Sequence, residues 1–346
     1  MTAISSTIAI VSESRRSRKS RYRFVVASLL ALLIALFVLT LSVGQSFTPP
    51  GELISVLLGA EVPGTSFTIW QLRLPRAVLG VLAGLSFGLG GVAFQLMLRN
   101  PLASPDIIGI SWGASAAAVF CIVVLSLSGP IVSVFAVAAG LLVALIVYTL
   151  SFKNGVAGTR FILVGIGVAA ILESCIAYIL STAQSWTLQE AMRWLTGSLN
   201  SAQLGQSLPL LLVLLVLGGL LLSRARDLEA LRMGDDTAAA LGVGVVYTRA
   251  VIITAAVVVI ATATAVTGPI GFVAFLSGPI AARLAGNSGS LLLPAALVGA
   301  ILVLLGDYAG QFLLPGRYPV GVVTGALGAP YLILLIIRIN RSGGSL

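Results

Sequence analysis

Two carboxylates, Glu173 and Asp307, lie inside long apolar stretches of a chain that has few charged residues. A carboxylate in an apolar layer is costly and usually faces a bundle interior or a water-filled pathway. Either acid could therefore line a polar pathway or carry a proton. The alternative for both is a structural acid that is protonated or hydrogen-bonded within its own bundle.

Two arginines, Arg73 and Arg76, stand three residues apart across Pro75, just before a Gly-rich apolar stretch. A guanidinium suits bidentate pairing with a carboxylate, so the pair could hold an acidic partner. The alternative is that both are anchors whose charged ends reach the edge of an apolar layer.

Other reactive groups are missing from the sequence. It contains no histidine, and its two lysines, Lys19 and Lys153, do not complete the phosphate-binding pattern G-x-x-x-x-G-K-[ST]. Cys121 and Cys175 lie in apolar runs without metal-ligand spacing or a disulfide framework. The sequence therefore predicts no catalytic constellation, no metal site and no cofactor. If ATP drives a process here, another subunit must hydrolyse it.

Composition places these residues in a membrane. Hydrophobic residues make up 58% of the 346 residues and charged residues 9%, whereas soluble domains usually carry about 25% charged residues. Apolar runs recur near the ~20 residues that a helix needs to cross a bilayer. The alternative is a large soluble helical protein with buried helices. We predict an all-α, polytopic membrane protein.

Hydropathy predicts ten membrane-spanning helices with both termini inside. This topology places most of the 20 Lys and Arg residues on the inner face, as the positive-inside rule requires. It explains the net charge of +9 without nucleic acid. The predicted spans are 24–44, 74–98, 107–126, 130–151, 161–181, 207–223, 250–268, 272–285, 291–312 and 320–338.

The first span follows a basic segment, so residues 1–44 resemble a signal peptide, and Ser14-Arg15-Arg16 resembles a twin-arginine signal. The apolar run is long for a signal, so we predict a retained helix. The predicted organisation is a basic cytoplasmic tail (1–23), a membrane domain (24–341) and a C-terminal tail (342–346).

Two connections have helical patterns of their own. The outer one, near 182–206, contains a short helical pattern at 188–195. The inner one, 224–249, predicts two short helices separated at Gly234 and stopped at Gly242, with Asp235 and Asp236 in the first turn of the second.

Several ordered motifs resemble the FecCD-type permeases, the family that imports ferric siderophores, haem and vitamin B12. Residues 73–113 combine Arg-Leu-Pro-Arg, a Gly-rich helix and Arg-Asn-Pro-Leu-Ala-Ser-Pro-Asp. Residues 231–243, 268–273 and 318–330 are similar to further family motifs in the same order. One departure is 276–283, Leu-Ser-Gly-Pro-Ile-Ala-Ala-Arg, which is more like the siderophore branch than the vitamin B12 branch.

The resemblance implies a type II ABC importer architecture in the bacterial cytoplasmic membrane. It implies as partners two ABC ATPase subunits, a periplasmic or lipid-anchored substrate-binding protein and a second permease subunit, alongside membrane lipid and without nucleic acid. Arg73 and Arg76 match arginines that meet the binding protein. A further family arginine is replaced here by Gln311, with Arg317 nearby as a third docking candidate.

The resemblance also assigns the inner loop to ATPase coupling, because a rigid helical pair could fill a cleft on a partner. The alternative is a solvated connector. The coupling candidates are Leu231, Gly234, Asp235, Ala238, Leu241 and Gly242. Matches at the cytoplasmic end of the pathway predict gate or pathway residues, for which ordinary turn chemistry is the alternative. These are Asn100, Leu102, Gly158 and Thr159, to which the pathway candidate Glu173 is added.

The resulting prediction is a non-catalytic permease subunit of an ATP-driven importer for a ferric siderophore. A vitamin B12 or haem permease of the same family is one alternative. A secondary transporter driven by protons or sodium, with Glu173 as its ion site, is another.

Overall fold

The computed structural model describes residues 2–105, 109–151, 158–286 and 288–341, with side chains for 13–105, 109–151, 160–286 and 288–337. These residues form helices and contain no strand. The helices are α1 (Thr2–Ser42), α2 (Pro50–Leu57), α3 (Thr65–Leu98), α4 (Ile110–Val123), α5 (Pro130–Ser151), α6 (Gly158–Ser181), α7 (Ser185–Leu195), α8 (Leu204–Ser223), α9 (Ala225–Arg232), α10 (Asp235–Ala240), α11 (Val245–Thr267), α12 (Val273–Ala285), α13 (Leu292–Leu313) and α14 (Val320–Arg341).

Ten of these helices correspond to the ten predicted spans. Eight are long and apolar enough to cross a membrane, and α4 and α12 are shorter apolar helices. The chain is an all-α, multi-pass membrane protein, as the sequence predicted. The short helices α7, α9 and α10 were predicted as well, whereas α2 was not.

The N-terminal basic segment is helical and runs directly into the first span. No Gly or Pro occurs before Gly44, so nothing in the sequence stops a helix there. Residues 2–23 of the predicted tail and the first span accordingly form one continuous helix, α1. The basic segment is therefore held in a helical register with the span that follows it.

The centre of the bundle is the contact between α3 and α13. A Cβ at Gly84 would overlap the backbone of Ala300, and a Cβ at Gly88 would overlap the carbonyl oxygen of Ala295. Glycines at these positions let the two main chains touch, which is how membrane helices gain packing energy without a hydrophobic drive between them.

The shortness of α12 has a backbone cause. Residues 268–272, which precede it, are not helical, and Gly268 and Phe272 have positive φ angles of 71° and 66°. Irregular backbone at membrane depth is tolerated only where protein or a cavity surrounds it. Here the hydroxyl of Thr324 on α14 donates to the carbonyl of Gly271 at 2.9 Å.

A proline inside α12 is compensated from a neighbouring helix. Pro279 has no N–H to donate to the carbonyl of Phe275 four residues earlier. The buried side-chain amide of Gln95 on α3 donates to that carbonyl at 3.0 Å. The link fixes α12 against the central helix α3.

Candidate docking, coupling and pathway sites

The hairpin of α9 and α10 forms the candidate coupling site. The turn requires Gly234, whose φ of 115° disfavours any residue with a Cβ, and Gly242 ends the second helix region with a φ of 86°. The side chains of Leu231 and Ala238 are fully buried, whereas Leu241 is 62% exposed. Leu231 and Ala238 therefore pack into the main core of the bundle, whereas Leu241 belongs to the exposed surface of the hairpin.

Asp235 connects this hairpin to the bundle through charge. Its carboxylate accepts hydrogen bonds from Arg249 on α11 at 2.8 Å and from Arg99, which follows α3, at 3.4 Å. The Arg249 side chain is 9% exposed and the Asp235 side chain 41% exposed. The three charges join the hairpin to the ends of two long helices, a role that the sequence did not predict for Asp235.

Asn100 and Leu102 lie in the turn directly after Arg99. The Asn100 side-chain oxygen accepts a hydrogen bond from the Leu102 N–H at 2.9 Å, which fixes the turn. Gly158 and Thr159 begin α6, and their side chains lie outside the described residues. The turn is thus attached to the same arginine that contacts Asp235.

Leu102 borders an apolar cavity of about 630 Å³ that the sequence did not predict. Aromatic side chains from three separate elements line it, namely Trp112 on α4, Phe272 from the irregular segment and Phe275 on α12. The remaining lining contains serines and aliphatic residues but no charged side chain. The sequence signal for this cavity was the set of helix-breaking residues Gly268, Pro269 and Gly271, which interrupt a helix just before Phe272.

At the opposite end of the bundle, Arg73 is enclosed by the last residues of α1 and the connection that follows them. Its guanidinium donates to the carbonyls of Leu41 at 2.7 Å, Ser42 at 3.1 Å and Ser46 at 2.6 Å. It also donates to the hydroxyl of Thr48 at 3.2 Å. In this structure Arg73 ties α3 to the end of α1.

Arg76 makes a bidentate ion pair with Asp307 on α13, in which both nitrogens contact separate carboxylate oxygens. The two side chains are 22% and 9% exposed. They border a polar hollow that is also lined by Gln311 and Arg317, and Arg317 is exposed. The structure thus places all three docking candidates around one hollow, with Arg73 and Arg76 already bonded within the chain.

Glu173 lies on an exposed face of α6, as do its neighbours Ile171, Ser174 and Tyr178. This face does not meet the cavity beside Leu102. Among the described residues, no group of three or more Cys, Asp or Glu side chains could hold a metal ion.

The chain matches the model of the FecCD transport family over residues 32–338. It is 38% identical to the ferric enterobactin permease FepG of Escherichia coli, covering 84% of this chain and 88% of FepG. It is 36% identical to the achromobactin permease CbrC of Dickeya dadantii, covering 90% and 91% of the two chains.

The fold has a similar counterpart among solved structures. An ABC transporter of the metal-chelate type, in an inward-facing conformation, aligns with a TM-score of 0.82 and 25% identity. The alignment covers 92% of this chain and 100% of that one. With the family model matching most of the sequence, the chain belongs to the FecCD transport family.

Proposed function

We propose that this chain is the permease subunit of an ATP-driven importer that carries a ferric siderophore across the bacterial cytoplasmic membrane. The observation that carries the proposal is the similarity, over 84% or more of the chain, to permeases named for ferric enterobactin and achromobactin. The uncharged aromatic cavity supports a conduit that binds its cargo weakly. High-affinity recognition then belongs to a separate binding protein.

The proposed assembly contains a second permease subunit, two ATPase subunits on the cytoplasmic side and a substrate-binding protein on the outer side. Both termini of this chain are then cytoplasmic. The even number of spans and the basic start of α1 support this orientation. The exposed face of α6 around Glu173 is available for contact with another subunit.

The proposed mechanism begins at the hairpin of α9 and α10. The exposed side chains of Met233 and Leu241 form the surface that meets the ATPase. Movement of the hairpin reaches α3 and α11 through the charges around Asp235. Because Asn100 follows Arg99 directly, the same movement shifts the turn that borders the cavity. ATP binding by the partner thereby changes access to the pathway.

Reconstitution separates this function from an ion-coupled carrier. The purified chain is placed in liposomes with and without its ATPase and binding protein, and uptake of radiolabelled ferric siderophore is measured. We expect uptake only in the full assembly with ATP. Uptake by this chain alone under a proton or sodium gradient, abolished by Glu173→Gln, would instead establish the secondary transporter.

The cargo is tested by iron uptake in a deletion strain complemented with this chain. We expect rescue with ferric siderophores. Rescue of vitamin B12 or haem uptake without rescue of siderophore uptake would assign the chain to the alternative substrates.

The coupling role is tested with Asp235→Asn. We expect uptake per ATP hydrolysed to fall several-fold while the ATPase stays assembled. The reason is that the neutral amide no longer attracts the charged side chains of Arg99 and Arg249 as the carboxylate does. Glu229→Gln is the matched control, since Glu229 pairs only with Arg232 within α9 among the described ion pairs. Equal coupling ratios in the two variants would exclude Asp235 from the route.

The docking role is tested with Arg317→Glu, because Arg317 is the exposed arginine at the polar hollow. We expect weaker binding of the substrate-binding protein and unchanged ATPase assembly. Arg193→Glu on α7 is the control, as Arg193 is an exposed arginine outside that hollow. Unchanged affinity of Arg317→Glu for the binding protein would remove Arg317 from the docking surface.

A further inference from the structure

The N-terminal part of α1 carries a one-sided basic surface, defined here as the basic face: Arg15, Arg16, Lys19 and Arg23. All four side chains are exposed, and together with Ser20 they surround one hollow. At 100° per residue they lie within about a third of the helix circumference. None of them forms an ion pair within the part of the chain whose side chains are described.

This helical segment is attached to the protein at Arg21, on the side opposite the basic face, and at Tyr22, beside the edge of that face. Arg21 donates to the carbonyl of Leu284 at the end of α12, at 3.5 Å. The ring of Tyr22 lies against Gly289, where a Cβ would meet it at 2.9 Å. These contacts fix the rotation of α1, so the basic face is turned away from the bundle.

The basic face continues an exposed apolar surface of α1. Arg16, Arg23 and Leu30 are spaced by seven residues and therefore lie along one side of the helix. Leu30 is 46% exposed and Ile34, one turn further, is 55% exposed. A side of the helix that touches acyl chains along the span must meet the headgroups of the same lipids at its end.

We propose that the basic face binds the phosphate headgroups of anionic phospholipids in the leaflet that surrounds this end of α1. Arg23 adjoins Phe24, the first residue of the apolar run. At about 1.5 Å per residue, Lys19 lies about 6 Å beyond Arg23 and Arg15 about 12 Å beyond it. A headgroup layer is about 5–7 Å thick, so Arg23 and Lys19 lie within it. Arg15 and Arg16 lie a few ångströms beyond it, within a Debye length of about 8–10 Å, and still attract the anionic surface.

The test measures lipid bound to the full-length chain by native mass spectrometry. Micelles are doped with phosphatidylglycerol or with phosphatidylcholine. We expect the wild-type chain to retain phosphatidylglycerol selectively and to lose it as ionic strength rises. Arg16→Gln with Lys19→Gln should weaken phosphatidylglycerol binding about fivefold for each charge removed. Retention of phosphatidylcholine should stay unchanged.

The matched control, Arg18→Gln with Arg226→Gln on α9, removes the same charge from two exposed arginines outside the basic face and leaves the Arg21 contact in place. We expect it to retain phosphatidylglycerol nearly as the wild-type chain does. An equal loss in both double variants would overturn the proposal, because net charge alone would then explain binding. Displacement of the lipid by inorganic phosphate would also overturn the proposal, because the basic face would then be a site for free anions.

A protein occupant is the remaining competitor. If the basic-face variant keeps its phosphatidylglycerol but loses the partner ATPase in co-purification, the surface serves a protein and the proposal is wrong. Lipid retention is measured on this chain without cargo or partners. Its outcome is therefore independent of whether the imported substrate is a siderophore.

Discussion

The ion pair between Arg76 and Asp307 provides the sharpest test of the structure, because it joins α3 to α13 across 231 residues of sequence. Two unit charges about 4 Å apart interact by about 4 kcal/mol at an effective dielectric constant near 20. Removing one partner of a buried pair costs about 3–5 kcal/mol, since the other charge stays buried. Arg76 keeps 22% of its side chain exposed, which favours the lower end of that range.

We therefore expect Arg76→Gln and Asp307→Asn each to lower the free energy of unfolding by about 3 kcal/mol. The double variant should lose about 4 kcal/mol rather than the sum of about 6 kcal/mol, because neither charge remains alone. The resulting coupling energy should be about 2 kcal/mol, within the range found for residues in contact. The assay is reversible unfolding of the purified chain in mixed micelles, titrated with sodium dodecyl sulfate.

The control is a second double-variant cycle on Glu229 and Arg232 of α9. Their side chains are 38% and 44% exposed, so the pair should couple by only about 0.3–0.5 kcal/mol. If the Arg76–Asp307 cycle gives a coupling as small as this control, the pair does not hold α3 to α13 and the argument from burial fails.

Two further predictions use the same unfolding assay. Gly88→Ala should destabilise the chain by about 1–3 kcal/mol, because the new Cβ would overlap Ala295. The control is Gly51→Ala, where a Cβ meets nothing within 4 Å, and it should change stability by less than about 0.5 kcal/mol. Similar losses in the two variants would refute the close packing. Gln95→Leu should cost about 1–3 kcal/mol because it leaves the carbonyl of Phe275 without its donor, and an unchanged unfolding midpoint would show that the carbonyl has another partner.

Local patterns predicted the elements of this molecule well. The spans followed from hydropathy, and the hairpin followed from the glycines at positions 234 and 242. The basic segment was recognised by its charge, and its helical conformation follows from the absence of any Gly or Pro before Gly44. The short helix α2 was missed because it begins within Pro49-Pro50-Gly51, a run of residues that is typical of turns and loops.

The contacts between distant residues were not predictable from these patterns. Arg76 and Asp307 were each identified, but nothing in a single sequence relates them as partners. Asp235 was assigned to ATPase coupling, but nothing in the sequence shows that its carboxylate contacts Arg99 and Arg249. Whether a side chain is exposed is also decided by the fold. Ala238 is one of the coupling candidates, and only the structure shows that it is buried.

The contact of main chain on main chain between α3 and α13 limits how this protein can move. Side chains can slide past each other by changing rotamers, but two backbones already in contact have no such freedom. Whatever rearrangement opens a passage must carry these two helices as one rigid body. Relative displacement must then occur in helices that few other helices cover. Among the long apolar helices of the described chain, α6 has the smallest buried share, 11% of its apolar stretch.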